Sequence, residues 1–567
     1  MGDPHGRSGE PGKSRDRAMR LSRPGAAGVL LMARQFHLAD LFETIAATVP
    51  DRIAIISDSL TLTYAQLDRR ANSVAAGLAA RGVTRGDNVG LFLTNRAEHL
   101  EAFIAVIKLG AVPFNVNYRY REDELRQLFA DARAAAIIHD AQFGPVVRNL
   151  SSDLPSLKTS VAVDDGSGAD CSASAAYADL LQTDPDGAGS GDTRERSEDD
   201  ILLTYTGGTT GFPKGVMWPH KAFVFACAGG GGHFNPTGPL VEPADAADRA
   251  ATGYPLRMMP VAPLMHAAAV WAVWSAMLNG LTIVIDEGAR FDAERIWTKV
   301  AEQKVNIVQV VGDAMAVPLR DALRDNPGRW NLAHVVNFGS GGAVFSRQVQ
   351  ADLQSMLPGN AKVTDGMGAS ETGVSGQAMQ GSEGLMRLPS GPDQQVVIDG
   401  RLAHAGEIGF VARSGHTPVG YFGDAAKTEE TFRIIGDRLW AVSGDTARLD
   451  EDGMITVFGR GSTCINSGGE KIYPEEVEEA LRAHPAVFDA VVVGKADERW
   501  GEKVVAIASL REGAAAPELT ELRSFLSEKL AGYKLPRALV WTDAVERSPA
   551  GKQNYRWAKE LAAKAEG

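Results

Sequence analysis

An α/β fold on a largely parallel sheet, followed by a small separate α+β domain, is what this 567-residue sequence predicts. Three observations lead there. Apolar stretches of strand character alternate with stretches of helical spacing over most of the chain. The chain is too long for one ordinary core and should divide. At Phe458 the texture changes: Phe458-Gly459-Arg460-Gly461-Ser462 reads as a boundary, and a helix, two strands and a helix follow it.

Folded sequence is expected to begin near Phe36. Thr63, with Gln66 three residues later, fits a capping box, and Leu67, Ala71, Val74, Ala75 and Leu78 continue at helical spacing. Residues 88–93 read as a buried strand, 98–109 as a helix and 110–115 as the next strand. Residues 164–200, rich in Asp, Gly, Ser and Ala, read as a partly flexible surface connection. Residues 229–257, opened by four glycines, read as a second long loop, one able to rim a substrate entrance. In the small domain, Pro474 opens a helix over 474–482 with acidic residues in its first turn. Strands over 487–493 and 504–510 and a helix over 519–530 complete it. The expected division is 36–460 and 463–567.

Composition bounds the function. Hydrophobic residues at 44% and charged residues at 23% suit a soluble globular protein. A formal net charge of -13 argues against non-specific nucleic-acid binding. Cys171, Cys227 and Cys464 are widely spaced, which indicates neither a metal cluster nor a disulfide framework and points to the reducing cytoplasm. No apolar run reaches the ~18 residues of a membrane helix. Residues 1–35 mix Arg and Lys with Gly, Pro and Ser; they read as a disordered extension, because a signal peptide would carry a longer apolar region.

The chemistry concentrates in a few segments. Thr204-Tyr205-Thr206-Gly207-Gly208-Thr209-Thr210-Gly211-Phe212-Pro213-Lys214-Gly215 places four glycines, four threonines and one lysine after the apolar run Ile201-Leu202-Leu203. Glycines let backbone N–H groups approach an anion, hydroxyls add donors, and the lysine adds mobile positive charge. A strand entering such a loop is a phosphate cradle, although it lacks the spacing of the common P-loop. Val335 to Phe338 run into Gly339-Ser340-Gly341-Gly342-Ala343, where backbone could lie close against a flat base. Ser443-Gly444-Asp445-Thr446-Ala447 precedes the hairpin signal Asp452-Gly453, and a carboxylate there suits a ribose diol.

These segments resemble those of the adenylate-forming synthetases, which include acyl-CoA synthetases, firefly luciferase and peptide-synthetase adenylation domains. The resemblance covers residues 36 to 560, with the motifs in the family's order. It implies a large adenylate-forming domain of parallel-sheet layers plus a small β-barrel, and a mobile C-terminal α+β domain. By resemblance Thr206, Gly207, Gly208, Thr209, Thr210, Gly211 and Lys214 hold phosphates, and Gly341, Gly342 and Ala343 hold adenine. Asp365-Gly366-Met367-Gly368-Ala369-Ser370-Glu371-Thr372-Gly373 resembles the family's Tyr-Gly-x-Thr-Glu motif. Glu371 and Thr206 would then serve Mg2+, a cation that wants oxygen ligands; Ser370 would serve the phosphates, and Met367 with Gly368 would lie at the adenine in place of an aromatic. Taken alone, Glu371 would read as a capping residue near a helix start.

The resemblance also puts Asp445 and Arg460 at the ribose. It makes Lys552, in Ser548-Pro549-Ala550-Gly551-Lys552, the mobile catalytic lysine. It sets Gly468 and Gly469 beside the pantetheine tunnel and His266, in Pro263-Leu264-Met265-His266, near the carboxylate. Ser462 stands at the family's hinge, and Val270, Trp271, Val273, Trp274 and Met277 read as core, with one or two available to an acyl tunnel. The wording is similar to that of actinobacterial fatty-acyl and steroid side-chain CoA ligases. The implied reaction is ATP-dependent activation of a carboxylic acid followed by transfer to CoA. A ligase that hands its adenylate to a carrier protein is the alternative; an inactive nucleotide-binding regulator would have no need of Lys552. The acyl group is left open, as is oligomeric state, a homodimer being a common arrangement.

Overall fold

The computed structural model describes residues 35–184, 196–206, 213–232, 237–288, 290–343, 345–377, 379–380, 385–460, 463–467, 470–497, 501–530, 532–547 and 553–564. Gly207, Gly208, Thr209, Thr210, Gly211, Ser462, Gly468, Gly469 and Lys552, and the extension before Gln35, lie outside the described residues.

Four sheets organise the described residues. The first is parallel at its centre: Val112–Asn115, Asn88–Phe92, Ala134–Asp140 and Thr159–Val163 pair in parallel, as the alternation of strands and helices requires. Its other end is antiparallel, where Ile201–Thr206, Lys214–Pro219 and Gly420–Tyr421 lie side by side. The second sheet has a parallel centre, Thr282–Val284, Arg257–Pro260, Ile307–Val310, Asn337–Gly341 and Lys362–Ala369, with Gly373–Gln377 antiparallel at one edge. The third is wholly antiparallel in its described pairs. Its described ladders run from Met379–Gln380 to Arg401–Leu402 as an open path. The fourth, from Ile465–Ser467 to Ala538–Trp541, belongs to the C-terminal region alone.

Local expectations hold at the helices. Helix Tyr64–Ala79 starts at the capping box of Thr63 and Gln66, with both reciprocal hydrogen bonds made. Helix Pro474–Arg482 has the expected bounds. Strand Val487–Asp497 runs further than expected because Gly501–Leu510 pairs with it along its whole length.

Two loop assignments are corrected. The stretch 229–257 contains helix Asp245–Thr252, which buries Ala246, Ala247 and Ala250 on one face. The connection 164–200 contributes strand Ala175–Ala176 and helix Tyr177–Leu181. The buried Tyr177 hydroxyl donates to Glu101 at 2.7 Å, and Glu101 also takes the Arg70 guanidinium, so this part of the segment is fixed to the core. Among the described residues no helix is long and apolar enough to cross a membrane.

Helix Leu38–Thr48 is held by buried charge. Arg196 reaches Asp40 at 2.8 Å and Glu43 at 2.9 Å, and Lys108 reaches Glu43 at 2.6 Å. Burial alone would raise the Glu43 carboxyl; Lys108 and Arg196 outweigh it and bring the group down to about 2.

Candidate active site

The phosphate segment lies between two antiparallel strands. Strands Ile201–Thr206 and Lys214–Pro219 pair antiparallel, and Thr206 is the direct partner of Lys214. Of the seven residues the resemblance gives to the phosphates in this segment, Thr206 and Lys214 are described, and they close its two ends. Lys214 is ion-paired with Asp424, a residue the sequence did not single out. Asp424 also caps helix Ala425–Thr431, its Oδ1 accepting from Lys427 N at 2.9 Å.

Asn115 ties this hairpin to the His266 turn. Its Nδ2 donates to Tyr205 O at 2.9 Å and to Met265 O at 2.8 Å, and its Oδ1 accepts from Tyr205 N at 2.8 Å. Asn95 Oδ1 accepts from Leu264 N at 2.7 Å. His266 then stands as the N-cap position of helix Ala267–Met277. Trp271, Val273, Trp274 and Met277 on that helix are buried, as core residues should be, and Val270 is partly buried against the same cluster.

The base-binding candidates lie alongside. Gly341 is the Cα partner of Gly366 across parallel strands. Gly342 has φ of 91°, a backbone region glycine enters without strain. A Cβ on Gly342 would sit 3.9 Å from Ala268, so the helix following His266 borders this turn. Ala343 is partly buried against the large core. At Gly368 a side chain would meet Gly373 O at 2.7 Å, so only glycine lets the two strands and Trp271 approach as they do. Met367, half-buried, leans on the apolar cluster of the third sheet, with Leu388, Val396 and Ile455.

Glu371 occupies the turn between the antiparallel strands Lys362–Ala369 and Gly373–Gln377. It is not near a helix start, which corrects the capping alternative. Tyr421 Oη donates to Glu371 Oε1 at 3.0 Å. Ser370, in the same turn, has its carbonyl bonded by Trp218 Nε1 at 3.0 Å, so the turn is fixed to the strand that carries Lys214. Asp445 is buried and is the Cα partner of Arg460 across the hairpin that Asp452-Gly453 turns.

One candidate was missed. Asp365 Oδ1 is buried without a hydrogen-bond partner, on the strand that pairs with Ser340 and Gly341. Burial, aided by the charge of Asp313, pushes the Asp365 carboxyl up to about 7. Its only sequence signal was a carboxylate beside the Gly-Met-Gly run.

The residues present fit the expected ligands. An orphaned carboxylate oxygen beside two glycine backbones suits a flat base with an exocyclic amine. Among the described residues no group of three or more His, Cys, Asp or Glu gathers for a metal. Glu371 as a single carboxylate suits Mg2+, which takes one or two carboxylates and completes its shell with water and substrate phosphates.

The chain is similar to known proteins over most of its length. The AMP-binding enzyme family matches residues 42–409, and the AMP-binding enzyme C-terminal domain matches residues 476–552. A medium/long-chain-fatty-acid and 3-oxocholest-4-en-26-oate CoA ligase of Mycobacterium marinum is 42% identical, covering 93% of this chain and 97% of its own. A 3-oxocholest-4-en-26-oate CoA ligase of Rhodococcus rhodochrous is also 42% identical, covering 92% and 95%. Among solved structures, an anthranilate CoA ligase in complex with anthranoyl-AMP has a TM-score of 0.78 at 22% identity, covering 93% of this chain and 98% of that one. ATP-bound MatB from Rhodopseudomonas palustris has a TM-score of 0.75 at 22% identity, covering 93% and 99%. With both its large and its C-terminal region matched, this chain belongs to the AMP-binding enzyme family.

Proposed function

We propose that this protein is an AMP-forming acyl-CoA ligase that activates a fatty or steroid side-chain carboxylic acid. ATP and the acid give an acyl-adenylate and pyrophosphate, and the CoA thiol then displaces AMP from the acyl carbon. The observation that carries the reading is the chain of contacts joining the phosphate hairpin to Glu371 and to His266, through Trp218, Tyr421 and Asn115.

Each residue has a task. Thr206 and Lys214 grip phosphate oxygens at the neck of the hairpin. Gly341, Gly342 and Ala343 cover the adenine, with Asp365 accepting from its amine. Asp445 and Arg460 take the ribose. Glu371 and Thr206 would hold Mg2+, which neutralises phosphate charge when bound. His266 stands at the carboxylate end, and Lys552 brings positive charge between carboxylate and α-phosphate. Gly468 and Gly469 border the path of CoA. The division at 461–462 is proposed as the hinge, since the fourth sheet draws only on residues beyond it.

The acyl preference comes from the relatives, whose names specify medium- and long-chain fatty acids and a steroid acid. The test is AMP release with CoA and octanoate, palmitate or a steroid bearing a carboxylated side chain. CoA-dependent release with the apolar acids supports the reading. Tight ATP binding without turnover of any acid refutes it.

A further inference from the structure

Two charged groups of the candidate ATP site, Glu371 and Lys214, come from different sheets. Both are met by one short segment, 420–424, that the family motifs used above do not include. The segment starts as the edge strand Gly420–Tyr421, antiparallel to Lys214–Pro219, with Tyr421 opposite Val216. Val419 N donates to Met217 O at 3.0 Å and Phe422 N to Gly215 O at 2.8 Å, which fastens the segment along the strand that begins at Lys214. Thr428 Oγ1 accepts from Tyr421 N at 2.9 Å and donates to Asp424 O at 2.7 Å, so its far end is tied to the next helix. The Tyr421 ring is buried and packs edge-on against Phe432 at 5.7 Å.

From this fixed backbone two side chains reach the site. Tyr421 Oη donates to one Glu371 oxygen at 3.0 Å. A phenol is a neutral donor: it can orient a carboxylate and leave the second oxygen for a cation, whereas a lysine or arginine would neutralise it. Asp424 receives the Lys214 ammonium. That pair is substantially exposed, with side-chain accessibilities of 42% and 31%, and exposed pairs are weak. An incoming phosphate, with more negative charge, can take the lysine over.

We propose that segment 420–424 is a strap that positions the ATP site: Tyr421 orients Glu371 for a divalent cation, and Asp424 holds Lys214 in reserve until a phosphate replaces it. Both are positioning residues, acting through Glu371 and Lys214. The proposal rests on the reading of Glu371 as the cation's carboxylate and of Lys214 as a phosphate partner.

The test separates the strap from that reading. ATP affinity is measured by calorimetry in EDTA and again across a Mg2+ titration, for the wild type, Tyr421→Phe, Asp424→Asn and Glu371→Gln. Asn keeps the helix cap, and Asp424→Ser is a second capping variant should Asn fail to fold. Tyr421→Phe should raise the Mg2+ concentration for half-maximal tightening about tenfold, the scale of one hydrogen bond to a charged acceptor, and leave the EDTA affinity within about twofold. Asp424→Asn should tighten ATP in EDTA by about threefold or more, because a competing carboxylate is removed. Glu371→Gln shifting the Mg2+ requirement while Tyr421→Phe does not would overturn the strap alone. Glu371→Gln with no shift would overturn the cation role of Glu371 and the Tyr421 half of the proposal with it. Unchanged EDTA affinity in Asp424→Asn would overturn the Asp424 half.

Discussion

Thr206 and Lys214 face each other across the two strands that close the phosphate hairpin. This explains how a flexible lysine can serve a loop it does not belong to: the ladder fixes its Cα at the neck, and only the side chain must move. Lys214→Ala should raise the KM for ATP about tenfold, the worth of one hydrogen bond to a charged group. It should leave thermal stability close to wild type, since the ion pair it loses with Asp424 is exposed. Steady-state kinetics with a thermal melt checks both; an unchanged KM removes Lys214 from the phosphates.

Asn115 should be sensitive for a different reason. It makes three hydrogen bonds that join Tyr205 to Met265, and its loss leaves Tyr205 N, in a partly buried position, without its acceptor. Asn115→Ala is expected to cost about 2 kcal/mol of stability in urea unfolding. It should also raise the KM for ATP and for the acid together, because the hairpin and the His266 turn lose their common tie. A rise for only one substrate would mean the tie does not couple them.

What the sequence made legible was local, and what it hid was distant. The capping box at Thr63, the Pro474 helix and the Asp452-Gly453 turn are signals within a few residues, and each appears where expected. That turn sets Asp445 opposite Arg460, the two residues that the resemblance put at the ribose. Tyr421 and Glu371 are 50 residues apart, Lys214 and Asp424 are 210 apart, and no spacing rule connects them. Asp365 is recognised by the partner its Oδ1 lacks, which only packing reveals. Helix Asp245–Thr252 was read as loop because neighbouring Gly and Pro outweighed alanines at helical spacing. The antiparallel end of the first sheet was missed because alternating strands and helices argue only for its parallel part.

The raised Asp365 carboxyl carries a pH prediction. An ordinary aspartate ionises near pH 3.9, whereas burial and Asp313 push this one to about 7. The folded state therefore holds the proton more tightly than the unfolded chain. Stability from this group is full below about pH 4 and is lost as pH rises towards about 7. Asp365→Asn should flatten that segment. In thermal melts without nucleotide the variant should gain on the wild type more at about pH 8 than at about pH 5.5. An equal difference at both values would show that Asp365 does not titrate in this range.

Lys552 lies outside the described residues, but the base that carries it is well held. Arg547 and Gln553 form a bridge on either side of the 548–552 loop. Arg547 forks onto Asp489 at 2.9 and 2.8 Å, Gln553 reaches the buried Glu478, and Tyr555 Oη donates to Gln553 at 2.6 Å. Arg482 is buried beside them; burial works against its charge, and Glu479, Glu478, Asp489 and Asp313 together outweigh burial and keep it protonated. Asp313 belongs to the large domain, so the loop's base faces that domain electrostatically in this arrangement. On the proposed role, Lys552 should stabilise charge only while the carboxylate meets the α-phosphate. Lys552→Ala should therefore slow acyl-adenylate formation by about a hundredfold, the scale of losing one charge-stabilising donor. Thioester formation from supplied acyl-adenylate and CoA should change by less than about threefold. Single-turnover measurement of the two half-reactions distinguishes them, and an equal loss in both would remove Lys552 from the first step alone.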